Sequence, residues 1–158
     1  MITITIKTAS LLSELKVKSY MNTLRVVNPD DRYAVRAGEE NESELKQAIQ
    51  DAWREAIALC RRFLDPTDDT TGTDATVTTL TTTDQTLTFD VSVRRSSNFG
   101  ATLAEAIHEF LVAGSLRRFY TSAAEGPLVQ AYAAGENAAR DRIVRLLHTK
   151  TEPIYDES

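Results

Sequence analysis

"TTGTDATVTTLTTTDQTLTF", residues 70–89, is more than half threonine, and its reading decides whether the chain is two bodies on a linker or one fold. A disordered linker would be poor in β-branched residues, and a mucin-like stalk would carry proline among its threonines. This stretch fits neither description. Leu87, Phe89, Val91 and Val93 alternate with Thr88, Asp90, Ser92 and Arg94, the period-two pattern of a strand with one buried face. Upstream, Ala75, Val77 and Leu80 stand among threonines, which are favoured in strands, and "TTDQ" supplies a turn around Asp84. The pattern predicts a β-hairpin, about 75–82 paired with 86–94, entered through the polar loop "DPTDDTTGTD". With so little to bury, its first strand is an edge, covered either by the N-terminal "ITITI" of the same molecule or by a neighbouring chain.

Helical periods flank the hairpin. Ile2, Ile4 and Ile6 alternate with polar residues as a short strand, and the period then changes. Over about 10–27, Leu11, Leu12, Leu15, Tyr20, Met21, Leu24 and Val27 form an apolar stripe that ends at "NPDD". Ser43 suits an N-cap for a second helix, with Glu44 in its first turn and a stripe through Leu45, Ile49, Trp53, Ile57, Cys60 and Leu64. Its aromatic content makes it the expected central helix. A capping box "TLAE" opens a third helix at Thr102, with Leu103, Ile107, Phe110, Leu111 and Gly114 on one face. Pro127 starts a fourth, which carries Leu128, Tyr132, Gly135, Ala139, Ile143, Leu146 and Leu147 up to about residue 149. A helical glycine costs about 1 kcal/mol relative to alanine, so Gly114 and Gly135, with Ala139, imply close approach in a tight antiparallel pair.

The expected fold class is therefore α+β, mainly α: a four-helix bundle with a Thr-rich hairpin between helices 2 and 3 and a short N-terminal strand. Residues 1–150 form one domain, and 151–158 form a flexible tail. At 158 residues, with 42% hydrophobic and 26% charged side chains, the length suits a single core. The net charge of −5 is shared evenly by the two halves, which argues against a basic nucleic-acid-binding module. Cys60 is the single cysteine, so neither an internal disulfide nor a thiolate metal cluster is expected. "MITITIK" lacks the features of a signal peptide, and no apolar run reaches membrane-span length, so the expectation is a soluble protein, cytoplasmic at synthesis.

Catalytic material is sparse. His108-Glu109 resembles the start of a zinc-protease helix, but Val112 stands where the second histidine belongs. The acidic run Asp65, Asp68, Asp69, Asp74 fails the EF-hand register, which would put Thr67 and Thr78 at carboxylate positions. No phosphate-binding glycine loop or CxxC occurs. The expectation is a non-enzyme without metal or cofactor. A small enzyme would instead need a polar pocket around His108 or an acidic pair. Three arginine pairs, Arg61-Arg62, Arg94-Arg95 and Arg117-Arg118, are either solvated faces paired with nearby carboxylates or interface groups of a ring-shaped assembly.

The stretches "ESELKQAIQDAWREAIALCRRFL", "LAEAIHEFLVAGSLRRFY" and "EPIYDES", with the hairpin between the second and third helices, resemble the head–tail connector (adaptor) proteins of phages and prophages. The resemblance is architectural and spans most of the chain, although the "MITITIK" strand is not expected of the simplest connectors. It implies a structural virion protein that forms a homo-oligomeric ring against portal or tail proteins, with no catalytic residue. On that reading Val77, Leu80, Leu87, Arg94, Arg95, Arg117 and Arg118 contact a partner, Ile154 and Tyr155 anchor the tail, and Trp53, Gly114, Gly135 and Ala139 pack the helices. The alternatives are another tail-completion protein, or a monomeric α+β binding or regulatory module in which residues 2–6 protect the hairpin edge.

Overall fold

The computed structural model describes residues 2–23, 41–65, 75–90, 98–122 and 126–148. Within them the chain runs β1 (Ile2–Ile6), α1 (Leu11–Thr23), α2 (Glu42–Cys60) with a 3-10 turn at Arg61–Phe63, α3 (Val77–Thr82), β2 (Gln85–Phe89), α4 (Phe99–Ser122) and α5 (Gly126–His148). It is mainly helical, with a short two-stranded antiparallel sheet.

The hairpin is not formed. Residues 77–82, expected as its first strand, are helical, and the strand that follows pairs with β1 instead: Ile2 faces Phe89, Ile4 faces Leu87 and Ile6 faces Gln85. Threonine chemistry explains the difference. Thr76 Oγ1 accepts from the backbone N–H of Thr79, and Thr79 Oγ1 accepts in return from that of Thr76, a capping box built from two threonines. Thr81 and Thr82 donate their hydroxyls to the carbonyls of Val77 and Thr78 at 2.9 and 2.7 Å, an option open to threonine in a helix. A six-residue helix is marginal by itself. Leu80 fixes it, fully buried in the core, where such a side chain contributes about 1.5–3 kcal/mol.

β2 is also shielded on its other edge. Leu64 bridges to Phe89, with Asp65 N–H donating to Thr88 O and Asp90 N–H to Phe63 O, both at 2.9 Å. The expected strand end at 91–94 lies outside the described residues, as do the "DPTDDTTGTD" loop beyond Asp65 and the tail 151–158.

α2 buries the face read from its spacing, Leu45, Ile49, Trp53, Ile57 and Cys60, together with Ala48, Ala52 and Ala56. Its N-cap is Asn41 and not Ser43, which lies inside the first turn. The central helix is α4, not α2: Leu103, Ala106, Ile107, Phe110, Leu111, Leu116, Phe119 and Tyr120 are all buried, and α4 meets β1, α1, α2 and α5. It begins at Phe99, three residues before the expected Thr102, because Phe99 itself is buried and Thr102 N–H already donates to Asn98 O at 3.0 Å. "TLAE" is thus helix interior. Gly100 lets this first turn close on β1, since a Cβ there would stand 3.3 Å from Ile4 Cγ2.

Candidate functional site

α4 and α5 pack antiparallel, as Gly114, Gly135 and Ala139 imply: Tyr120 stacks on Tyr132 with ring centroids 5.7 Å apart, and Arg142 donates to Glu109 at 3.1 Å further along. Ala139 is buried, and the Gly135 position faces Ala113 at 3.5 Å, ordinary contact distance. Gly114 has a stricter reason. A Cβ there would meet Arg118 Nη1 at 3.0 Å and the Glu136 carboxylate carbon at 3.4 Å.

Those two side chains belong to a network joining α2, α4 and α5. Glu136 lies on the buried stripe of α5 and is only 2% exposed. It accepts from Arg117 Nε, and from Arg117 Nη2 at 3.3 Å, with Arg118 and Arg140 within 3.8 and 3.7 Å. Glu55 on α2 accepts from both Arg118 and Arg140, while Arg118 Nη1 also donates to the carbonyl of Gly114 at 3.0 Å. The Glu136 hydrogen bond raises the Arg117 guanidinium further above its ordinary value. The arginine pair singled out in the sequence therefore makes its carboxylate contacts inside the chain. Glu55 and Glu136 were missed, although Glu136 had a signal: it interrupts the apolar series Tyr132, Ala139, Ile143.

The other proposed contact residues divide. Leu80 and Leu87 are buried in this chain's own core and cannot be partner contacts, because α3 and β2 turn them inward. Val77 is half-buried. Trp53 is buried as expected. Arg94, Arg95, Ile154 and Tyr155 lie outside the described residues.

α1 departs most from its sequence pattern. Leu11 and Leu15 point inward, but one turn later the inward positions belong to Ser19 and Asn22, while Val17, Tyr20 and Met21 are 61%, 48% and 52% exposed. Tyr20 and Met21, read as core, are on the outside. The reason lies opposite: the hydroxyls of Tyr120 and Tyr132 meet α1 in the interior, and Asn22 Nδ2 donates to both at 2.9 Å. Ser19 donates its hydroxyl to Lys16 O at 2.8 Å. Polar inner positions satisfy buried hydroxyls, which would otherwise cost about 1–3 kcal/mol each. Val17 and Met21, on the outer side of the same turns, stay exposed. On the α2 side Lys16 donates to Glu42 at 3.0 Å, and its hydrogen bond and charge hold the Glu42 carboxyl below the ordinary range.

Beside this face runs a groove of about 600 Å³ between α1 and α5. Its floor is His108, Val112 and Ala113 of α4, its walls Glu14 and Lys18 on one side and Ala131, Gly135 and Ala138 on the other. His108 Nε2 and Glu14 Oε2 are 2.8 Å apart, tying α1 to α4, while His108 Nδ1 is buried without a hydrogen-bond partner. Val112, one turn from His108, is part of the groove floor where a zinc protease would place its second ligand. Among the described residues no group of three or more His, Cys, Asp or Glu side chains is arranged to hold a metal, and no helix is long and apolar enough to cross a membrane. Cys60 is buried, which pushes its thiol up to about 12. No family model matches the chain, and no curated protein or solved structure is significantly similar to it.

Proposed function

We propose that the chain is a non-enzymatic assembly protein that works as a homo-oligomer, of the kind that forms a ring between head and tail in phage and prophage particles. In this reading α1, α2, α4 and α5 are the bundle that carries the contacts. The observation that supports it is the inverted C-terminal half of α1, which places Val17 and Met21 in solvent beside an open groove. A contiguous exposed apolar patch is a common mark of a protein contact. Portal or tail proteins are the proposed further partners, through residues that include Val77, Arg94, Arg95, Ile154 and Tyr155, and the virion is the proposed destination.

Light scattering on the full chain over a concentration series tests this reading. A ring or other discrete homo-oligomer is the expected result; a strict monomer at high concentration that also ignores portal proteins would overturn it. The second reading is a monomeric binding or regulatory module, favoured by two contacts that close within one molecule: β1 on the edge of β2, and Arg117 and Arg118 on Glu136 and Glu55. Removing residues 2–6 would then unfold the protein while leaving no change of oligomeric state to observe.

A further inference from the structure

α1 and α5 lie on either side of α4 and run in opposite directions. Glu14 stands beside His108, next to the Glu109–Arg142 contact, whereas Asn22 stands beside Tyr132. Residues 14–22 of α1 are thus level with residues 142–132 of α5, and Val17 and Met21 come level with Ala138 and Ala134. Outward from the groove the two helices differ in kind. α1 exposes the large apolar side chains of Val17 and Met21, and α5 exposes small ones, Ala131, Ala134 and Ala138.

We infer that this side of the molecule binds a second copy of the chain, α1 of each copy lying antiparallel along α5 of the other. The inference rests on the homo-oligomeric reading above and names its contact. A two-fold axis running along the helices preserves their direction, so it sets each α1 over the opposite α5 and makes the exchange reciprocal. Val17 and Met21 of one copy then cover Ala138 and Ala134 of the other, where small residues allow close approach.

The charges agree with this placement. Lys18 and Asp141 are both exposed and have no ion-pair partner among the described residues; nor has Arg145, one turn beyond Asp141. Spaced four apart, Glu14 and Lys18 on α1 stand about one turn above Arg145 and Asp141 on α5 in antiparallel order, opposite sign to opposite sign. Helical side chains lean towards the N-terminus of their own helix, so Lys18 and Asp141 of two copies lean towards each other across the remaining turn. A nucleic acid or a strongly charged peptide would not match a surface with both signs so balanced, but a second copy does. Any ring is then made from such pairs and holds an even number of chains.

The test is a charge swap read by analytical ultracentrifugation on the full chain, with melting curves confirming that each variant folds. Lys18→Glu alone and Asp141→Lys alone each set like charges together, and each should weaken self-association by about tenfold or more. Mixed in equal amounts they should associate again within a few-fold of the wild type, because both contacts of a pair formed from one copy of each variant have opposite signs. Variants that associate like an oligomeric wild type, or a mixture that stays apart, would overturn this contact and leave the assembly reading standing. A wild type that is monomeric throughout would overturn both.

Discussion

The two helices that flank α4 are joined to it by opposite rules. α5 brings a carboxylate, Glu136, into the interior and meets it with Arg117 on α4 and Arg140 one turn on. α1 brings an amide, Asn22, into the interior and leaves Val17 and Met21 outside. In the first case charge is neutralised within the chain, so the contact is complete. In the second the polar groups are satisfied while Val17 and Met21 stay exposed, and on the reading proposed above the helix is half of a contact. An exposed residue and an unused residue are different things, and the difference shows only when the inward side of the same helix has been accounted for.

The comparison can be broken most severely at Glu136. Glu136→Ala removes the carboxylate that Arg117 binds and leaves Arg118 and Arg140 on Glu55, and should cost about 3 kcal/mol, the lower end for a broken buried pair because the arginines keep some contact with solvent. Chemical denaturation measures it, and a loss below about 1 kcal/mol would mean that the network is ornamental to the α4–α5 contact. On the α1 side, Asn22→Ala removes the donor shared by Tyr120 and Tyr132 and should cost about 1–3 kcal/mol by the same measurement. The glycines sharpen the contrast further. Gly135→Ala should stabilise by up to about 1 kcal/mol, since the nearest neighbour of its Cβ is at ordinary contact distance, whereas Gly114→Ala should destabilise because Arg118 is held by Gly114 O and Glu55 and cannot yield freely. Equal shifts in melting temperature would show that Gly114 does not guard the network.

Val17→Ser with Met21→Ser should change stability by no more than about 0.5 kcal/mol while abolishing self-association, which separates the outer face of α1 from its inner one. The smallest effect is expected at Cys60. Its thiol titrates at about 12 in the folded chain against an ordinary value of 9.0, so its contribution is present below pH 9 and is lost as pH rises towards 12. Ellman's reagent at pH 8 should therefore react only after denaturant is added.

The helical regions were legible in the sequence because apolar residues recur at helical spacing through Leu45–Cys60 and Leu103–Leu111, and these faces are buried as read. The close α4–α5 approach was legible from its small residues. What failed were places where one residue type serves two structures. Threonine is a good strand former, and the reading of 75–82 followed that preference. Its hydroxyls can also cap and brace a short helix, and Leu80 has no alternating partner to make a buried strand face. Tyr20 and Met21 were read inward because they are large and apolar. Their places are held by Ser19 and by Asn22, which answers hydroxyls on helices about a hundred residues away, and no local pattern carries that information. The Arg117-Arg118 pair stands out in the sequence, but its carboxylates sit 19 and 63 residues from it.

The pairing of β1 with β2 has a consequence for synthesis. Thr3 and Thr88, whose hydroxyls lie 3.1 Å apart, are separated by 85 residues. At about 5–20 residues per second on the ribosome, Ile2, Ile4 and Ile6 emerge some 4–17 seconds before their partner strand. During that interval a short alternating apolar segment is available to any nascent neighbour on the same messenger. Protease protection of the first strand in ribosome-stalled chains should therefore appear only once residue 89 has cleared the exit tunnel; protection in shorter chains would show that the helices shelter it first.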